Sequence, residues 1–269
     1  MKARIRISIC FAVALILLAV GIVYRNEISW VCRRLPIISR FFRPTVEGQI
    51  AAYGPSARER LNPIFAAHQI QYPPRKVAFL AIKATKQLQV YCKGNGDTYQ
   101  FVCTYPILGA SGKLGPKLRE GDRQVPEGIY KLSLEPNTPY HLALRLNYPN
   151  DADVSRARAD RRENPGSDIL IHGTTGSIGC IAVGDESSED LFVLVHDALD
   201  QKTDLIIAPV DLRDTPPPQQ QTDPSWLPIL YGEIRAAMSA FPRPTPWSPN
   251  EQHEFTSRTN GGTPFGKIS

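Results

Sequence analysis

His172 and Cys180 have the types and the spacing to do nucleophilic chemistry together. They stand eight residues apart, and Gly173, Gly176 and Gly179 punctuate the stretch between them. A thiolate is a strong nucleophile, but a free thiol titrates only near pH ~8.5. A histidine within hydrogen-bond reach lowers that value or takes the proton during attack. Glycine admits backbone turns that other residues resist, so the segment can fold back and bring imidazole and thiol together. Gly179 lets the backbone approach a substrate closely, and its N–H can join that of Cys180 in facing a developing oxyanion. The histidine also needs an orienting partner, for which the Gly173 carbonyl and the Ser177 hydroxyl are both available. Spacing alone fits equally well a buried structural cysteine beside a buried histidine. His141, His172 and Cys180 could also ligate a metal, although no dense Cys/His spacing supports one.

The elements that would hold this pair read mostly as strands. Residues 168–172 form a short apolar run that ends at the histidine, and residues 181–183 form another. Upstream, residues 77–83 are an apolar strand, and residues 87–92 and 98–105 flank a Gly/Asn/Asp-rich hairpin loop. Residues 128–135, 141–146 and 204–210 add three more strands. Ser187 and Asp190 have capping-box spacing ahead of an apolar helical stripe of Leu191, Leu194 and Val195. The pattern predicts a mainly β (α+β) domain over residues 76–212, sandwich-like or barrel-like, with one or two helices. Residues 25–75 read as a stalk with a short helix from about Ser56 to His68, broken at Tyr72-Pro73-Pro74. Residues 213–222 are a Pro/Gln linker. Trp226, Leu230, Ile234, Met238 and Phe241 recur at helical spacing within residues 223–241, behind an Asp223-Pro224 start. That stripe is expected to pack on the domain. Residues 242–269 have the composition of a disordered tail.

Lys2, Arg4 and Arg6 precede an almost unbroken apolar run to Tyr24. At about 1.5 Å per residue such a helix nearly spans a bilayer core. Residues 1–24 therefore read as a single-pass anchor in the inner membrane, with the N-terminus cytoplasmic and the rest in the periplasm; a cleaved signal peptide is the alternative. Cys92 and Cys103 flank the hairpin loop and could be bridged, but a turn centred on Asn95 would point them to opposite faces. A formal net charge of +5 suits an anionic wall or membrane surface. No basic run is interleaved with stacking aromatics, which argues against nucleic acid. Arg156, Arg158, Arg161 and Arg162 read as a solvated loop face.

Residues 171–183, IHGTTGSIGCIAV, resemble the catalytic signature of the L,D-transpeptidase (YkuD-type) family, a His-Gly pair followed by Ser-x-Gly-Cys. Residues 109–132 resemble the same family's Gly-rich approach to a Pro-Glu-Gly strand start. The likeness runs from about Lys76 to Leu212. It resembles the YafK-like branch in particular, through Arg119–Asp122, Tyr148–Asp151, the short His-to-Cys loop and the Trp226 helix. Ile178 stands where the commoner pattern has a second histidine, and Ala182 where it has Arg or Asn. Those departures bear on substrate choice and on transfer against hydrolysis.

The resemblance implies that Cys180 is the nucleophile and His172 its base, with Gly173, Ser177 and Gly179 in support. It also implies a thioester formed from a diaminopimelate-bearing stem peptide of peptidoglycan, with no cofactor and no metal. Arg119 could bind a stem-peptide carboxylate through its planar fork. An acceptor amine would complete a cross-link. The alternative within enzymes is an amidase or endopeptidase that releases a lipoprotein covalently bound to the wall. A non-catalytic wall-binding module is the alternative of another class.

Overall fold

Continuous apolar runs, rather than alternating ones, mark the centre of the sheet. The computed structural model describes residues 43–218 and 223–244. The expected anchor, the stalk up to residue 42, linker residues 219–222 and the tail beyond residue 244 lie outside the described residues. Among the described residues no helix is long and apolar enough to cross a membrane.

Nine strands form one mixed sheet: β1 (Lys76–Ile82), β2 (Gln87–Lys93), β3 (Gln100–Pro106), β4 (Gly109–Ala110), β5 (Gly128–Glu135), β6 (Ala143–Leu146), β7 (Leu170–His172), β8 (Ile181–Ala182) and β9 (Thr203–Ala208). Their order across the sheet is β3-β2-β1-β9-β5-β6-β7-β8-β4. The pairs β1–β9 and β7–β8 are parallel and the others antiparallel. The chain between β3 and β4 joins the two ends of this order. Ile107 N–H donates to the Lys86 carbonyl at 2.8 Å, and Leu108 N–H to the Ala182 carbonyl at 2.8 Å. The sheet therefore curls on itself, which is the barrel-like form of the expectation. Helices rather than a second sheet cover its faces.

Both faces of β1 are buried, which is why its sequence does not alternate. Val77 and Phe79 point into the main core, with Val90, Tyr105, Leu144 and Ile171. Ala78 and Leu80 point the other way, against Leu230, Ile234 and Met238 of the helix Leu227–Met238. The Trp226 stripe thus packs on the domain as expected.

Four helices are present among the described residues, α1 (Val46–Ala67), α2 (Asp151–Ala159), α3 (Asp185–Asp197) and α4 (Leu227–Met238), and the two within residues 76–212, α2 and α3, match the one or two expected there. α1 is 22 residues long, begins at Val46 rather than near Ser56, and is no stalk, since Leu61 and Phe65 enter the main core. Pro55 lies inside it and reads in sequence as a helix start. Packing against α3 overrides that local cost: Arg58 pairs with Asp197 at 2.7 Å and Arg60 with Asp190 at 2.7 Å. α3 begins two residues before Ser187, on Gly184 with no side-chain cap. Ser187 and Asp190 are buried within it, so they form no capping box. The capping box belongs to α2, where Asn150 and Asp153 each bond the other's backbone N–H at 3.0 Å. The arginines around α2 are not merely a solvated face. Arg156 and Arg162 lie over the Trp226 ring at 5.7 and 5.9 Å, and Arg156 also reaches Glu233 of α4 at 2.6 Å.

Candidate active site

The parallel pairing of β7 and β8 is what brings the histidine and cysteine together. Residues 173–180 cross over between these strands, and the register sets Ile171 beside Ile181 and His172 beside Ala182. Paired residues share a face, and side chains two apart on a strand share it too. His172 and Cys180 therefore face the same side, one diagonal step apart, roughly 8 Å between Cα atoms on strand spacings. Both line one cleft of about 570 Å³, with Tyr140, Asp168, Ser177 and Ile178 among its other walls.

Glycines make the crossover fit. A Cβ on Gly173 would lie 2.6 Å from Asp185 Oδ1 and 2.8 Å from both the Tyr140 carbonyl oxygen and His141 Cβ. A Cβ on Gly109 would lie 2.3 Å from the Thr175 carbonyl oxygen. Gly179 is at φ +105, where other residues are strained. Arg123, Asp168 and Thr174 also have positive φ and line the cleft. Such conformations cost on the order of 1–3 kcal/mol each and cluster where a site demands a shape.

His172 is 2 % exposed. Its Nδ1 meets the Gly173 carbonyl, which can only accept, so Nδ1 carries the proton and Nε2 keeps its lone pair. Gly173, rather than Ser177, is thus the orienting partner that sequence left open. Burial pushes the imidazole below its usual value, partly opposed by that hydrogen bond. The Tyr140 ring lies against the imidazole, with centroids 4.7 Å apart at 33°.

Cys180 is a half-buried free thiol. Its Sγ lies 3.9 Å from the Asp168 carbonyl. Burial pushes the thiol up, while the backbone at Leu170 and the charges of Arg145 and Lys117 pull it down. Thiol and imidazole are therefore both neutral at rest, and no hydrogen bond joins them among the described residues. The proton must move when the thiol attacks, as in general-base catalysis.

A hydroxyl pair locks the nucleophile's loop. Ser177 Oγ donates to the Cys180 carbonyl at 2.6 Å and accepts from Ser111 N–H at 3.3 Å. Ser111 Oγ donates to the Arg123 carbonyl and accepts from Gly179 N–H, both at 2.7 Å. Gly179 N–H, which the sequence reading offers as an oxyanion donor, is thus taken by Ser111 Oγ. Neither Ser111 nor Tyr140 was singled out from sequence. Ser111 sits within the Gly-rich run at residues 109–115, the one signal that could have found it. Tyr140 left no signal, because its place depends on His141 at φ +70 and on the His141–Glu189 contact at 2.9 Å.

Arg119 is exposed and outside the cleft lining, and its N–H and carbonyl serve the Asp122 and Lys117 side chains. Asp122 builds a turn. It accepts from the N–H groups of Leu118, Arg119 and Gln124 and from Lys117 Nζ. Burial would raise this carboxyl, but those donors hold it below the usual range. His141 lies before β6 and bonds Glu189 instead of approaching Cys180, and no group of three or more potential metal ligands occurs among the described residues.

Residues 77–210 match the family described as YkuD, the L,D-transpeptidase catalytic domain. The chain is 34% identical over 141 residues to YafK of Escherichia coli K12, which is described as a candidate L,D-transpeptidase; the alignment covers 51% of this chain and 54% of YafK. The same figures hold for YafK of Escherichia coli O157:H7. The chain thus spans about half the length of the curated relatives it matches. Among solved structures, the helical cell shape determining protein Pgp2 of Campylobacter jejuni aligns at 28% identity with a TM-score of 0.40, over 49% of this chain and 47% of Pgp2. Bd1075 of Bdellovibrio bacteriovorus aligns at 22% identity with a TM-score of 0.36, over 63% of this chain and 56% of Bd1075.

Proposed function

The chain belongs, through residues 77–210, to the YkuD family of L,D-transpeptidase catalytic domains, and from that premise we propose that it is a cysteine acyltransferase acting on peptidoglycan stem peptides. The observation that carries this is the fixed tautomer of His172, whose Nε2 is left basic on the face it shares with Cys180. The thiol attacks the carbonyl of a stem-peptide amide while its proton passes to His172 Nε2. The oxyanion of the tetrahedral intermediate faces Cys180 N–H. His172 returns the proton to the departing amine, and a thioester on Cys180 remains. An acceptor amine then forms a new amide, or water forms an acid, and Sγ is released. The apolar run before Tyr24 would anchor the domain outside the inner membrane, where this polymer lies.

The test is to incubate the full chain and its Cys180→Ser variant with purified sacculi, bare or carrying covalently attached lipoprotein, and to read the muropeptides by mass spectrometry. New cross-links or exchanged terminal residues that need Cys180 support transfer. Released protein or shortened stems without new bonds assign hydrolysis instead. No change with a folded, reduced protein contradicts the enzyme reading and favours a wall-binding module.

A further inference from the structure

The charged side chains around the cleft are unevenly satisfied. Lys117 Nζ is held by Asp122 at 2.6 Å and by the Arg119 carbonyl at 2.9 Å. Glu120 accepts from Ser167 N–H at 3.2 Å, and Asp168 pairs with Arg145. Arg123 differs: its guanidinium has no hydrogen bond, ion pair or ring partner among the described residues, although it lines the same cleft. Its backbone is anything but free. Arg123 sits at φ +55, and its carbonyl accepts from Ser111 Oγ, which in turn holds Gly179 N–H beside the nucleophile. The cations whose charge reaches the thiol are Arg145 and Lys117. Arg123 offers an unpaired guanidinium to the cleft that Cys180 also lines, on a backbone tied to the nucleophile's loop.

We propose that Arg123 binds a carboxylate of the donor peptide and so selects acyl donors with a free carboxylate near the amide that Cys180 attacks. The planar guanidinium can take both oxygens of a carboxylate, a geometry that a lysine cannot reproduce. The strained backbone, tied to the nucleophile's loop, fixes the distance from that carboxylate to the scissile bond. This rests on the reading that the cleft holds the donor peptide.

The test separates the two ideas. The full chain carrying Cys180→Ser, which cannot turn over, is titrated by calorimetry with a synthetic stem peptide bearing diaminopimelate. The peptide's terminal carboxylate is either free or amidated. The free acid is expected to bind about 10- to 100-fold more tightly than the amide. Adding Arg123→Gln should erase that preference, and Arg123→Lys should restore only part of it. Arg123 is exposed and its side chain has no partner to lose, so both variants should melt with the parent. An unchanged preference in Arg123→Gln, or equal binding of both peptides by the parent, overturns the proposal while leaving the cleft as the donor site. Binding of neither peptide to the folded parent overturns the donor-site reading and the proposal together.

Discussion

Two regions of the molecule hold cysteines, and they treat sulfur in opposite ways. In the β2–β3 hairpin Cys92 and Cys103 are fully buried in the main core. A β-bulge shifts the register there, so that Val90 faces Cys103 while Tyr91 faces Phe101. The extra residue, Val102, sets both cysteines on the core face and undoes the opposite-face expectation. They remain free thiols, and burial pushes both far up, with little chance of ionising. At the β7–β8 crossover Cys180 is also pushed up by burial. It differs in opening on a cleft and in sharing a strand face with the His172 imidazole. Burial alone makes a thiol inert; burial beside a base and an opening makes it usable.

The comparison breaks if the hairpin cysteines turn out to matter for turnover. Cys180→Ser is expected to lower amide-bond exchange on sacculi by at least about a thousandfold. Cys92→Ala and Cys103→Ala should leave the rate per folded molecule unchanged. His172→Gln removes the base and should cost about 10²- to 10⁴-fold. Single-turnover kinetics on the same substrate check both. Tyr140→Ala should cost roughly fivefold in kcat, a size suited to losing one ring-on-ring contact of ~1 kcal/mol, while Tyr140→Phe keeps the ring and the rate.

The pH profile sharpens the same contrast. His172 acts as a base only when neutral, and its value is lowered by burial, so the acid limb of the rate should fall below pH 6.5. In Tyr140→Ala the ring gains water and that limb should move up. Linkage has the same sign. Below pH 6.5 the unfolded chain takes this proton before the folded one, so His172 contributes stability that is lost as pH falls towards its folded value. Alkylation of Cys180 by iodoacetamide should rise with pH, with a midpoint above 9.0. Cys92 and Cys103 should stay unmodified until the protein is denatured. The smallest effect expected is on stability: Cys103→Ala leaves a small void in a packed core and should cost about 1–2 kcal/mol in denaturant melts.

Much of this was legible in the residues. Apolar runs located β1 and the strand ending at His172, and an alternating pattern located β5, since those depend on local sequence. The His-Gly and Ser-x-Gly-Cys pattern singles out Cys180 and His172, and leaves the Gly173 carbonyl and the Ser177 hydroxyl both open as the partner of His172. What escaped depended on contacts far apart in sequence. α1 was cut short at Pro55, because its stability comes from Arg58, Arg60, Leu61 and Phe65 meeting α3 and the core rather than from propensity. Gly179 N–H was assigned to the oxyanion, because nothing local says that Ser111, 68 residues away, would take it. Arg123 and Arg119 look equivalent in sequence; only the Asp122 turn decides which of them faces the cleft.

The measurement that bears most directly on Cys180 as the nucleophile is the mass of the protein caught in mid-reaction. The full chain is mixed with a synthetic diaminopimelate stem peptide, quenched in acid within seconds, digested and mapped. A thioester adduct is expected on Cys180 alone, absent from Cys180→Ser and rare in His172→Gln. Turnover of that peptide by Cys180→Ser, or an adduct on another residue, would contradict Cys180 as the nucleophile.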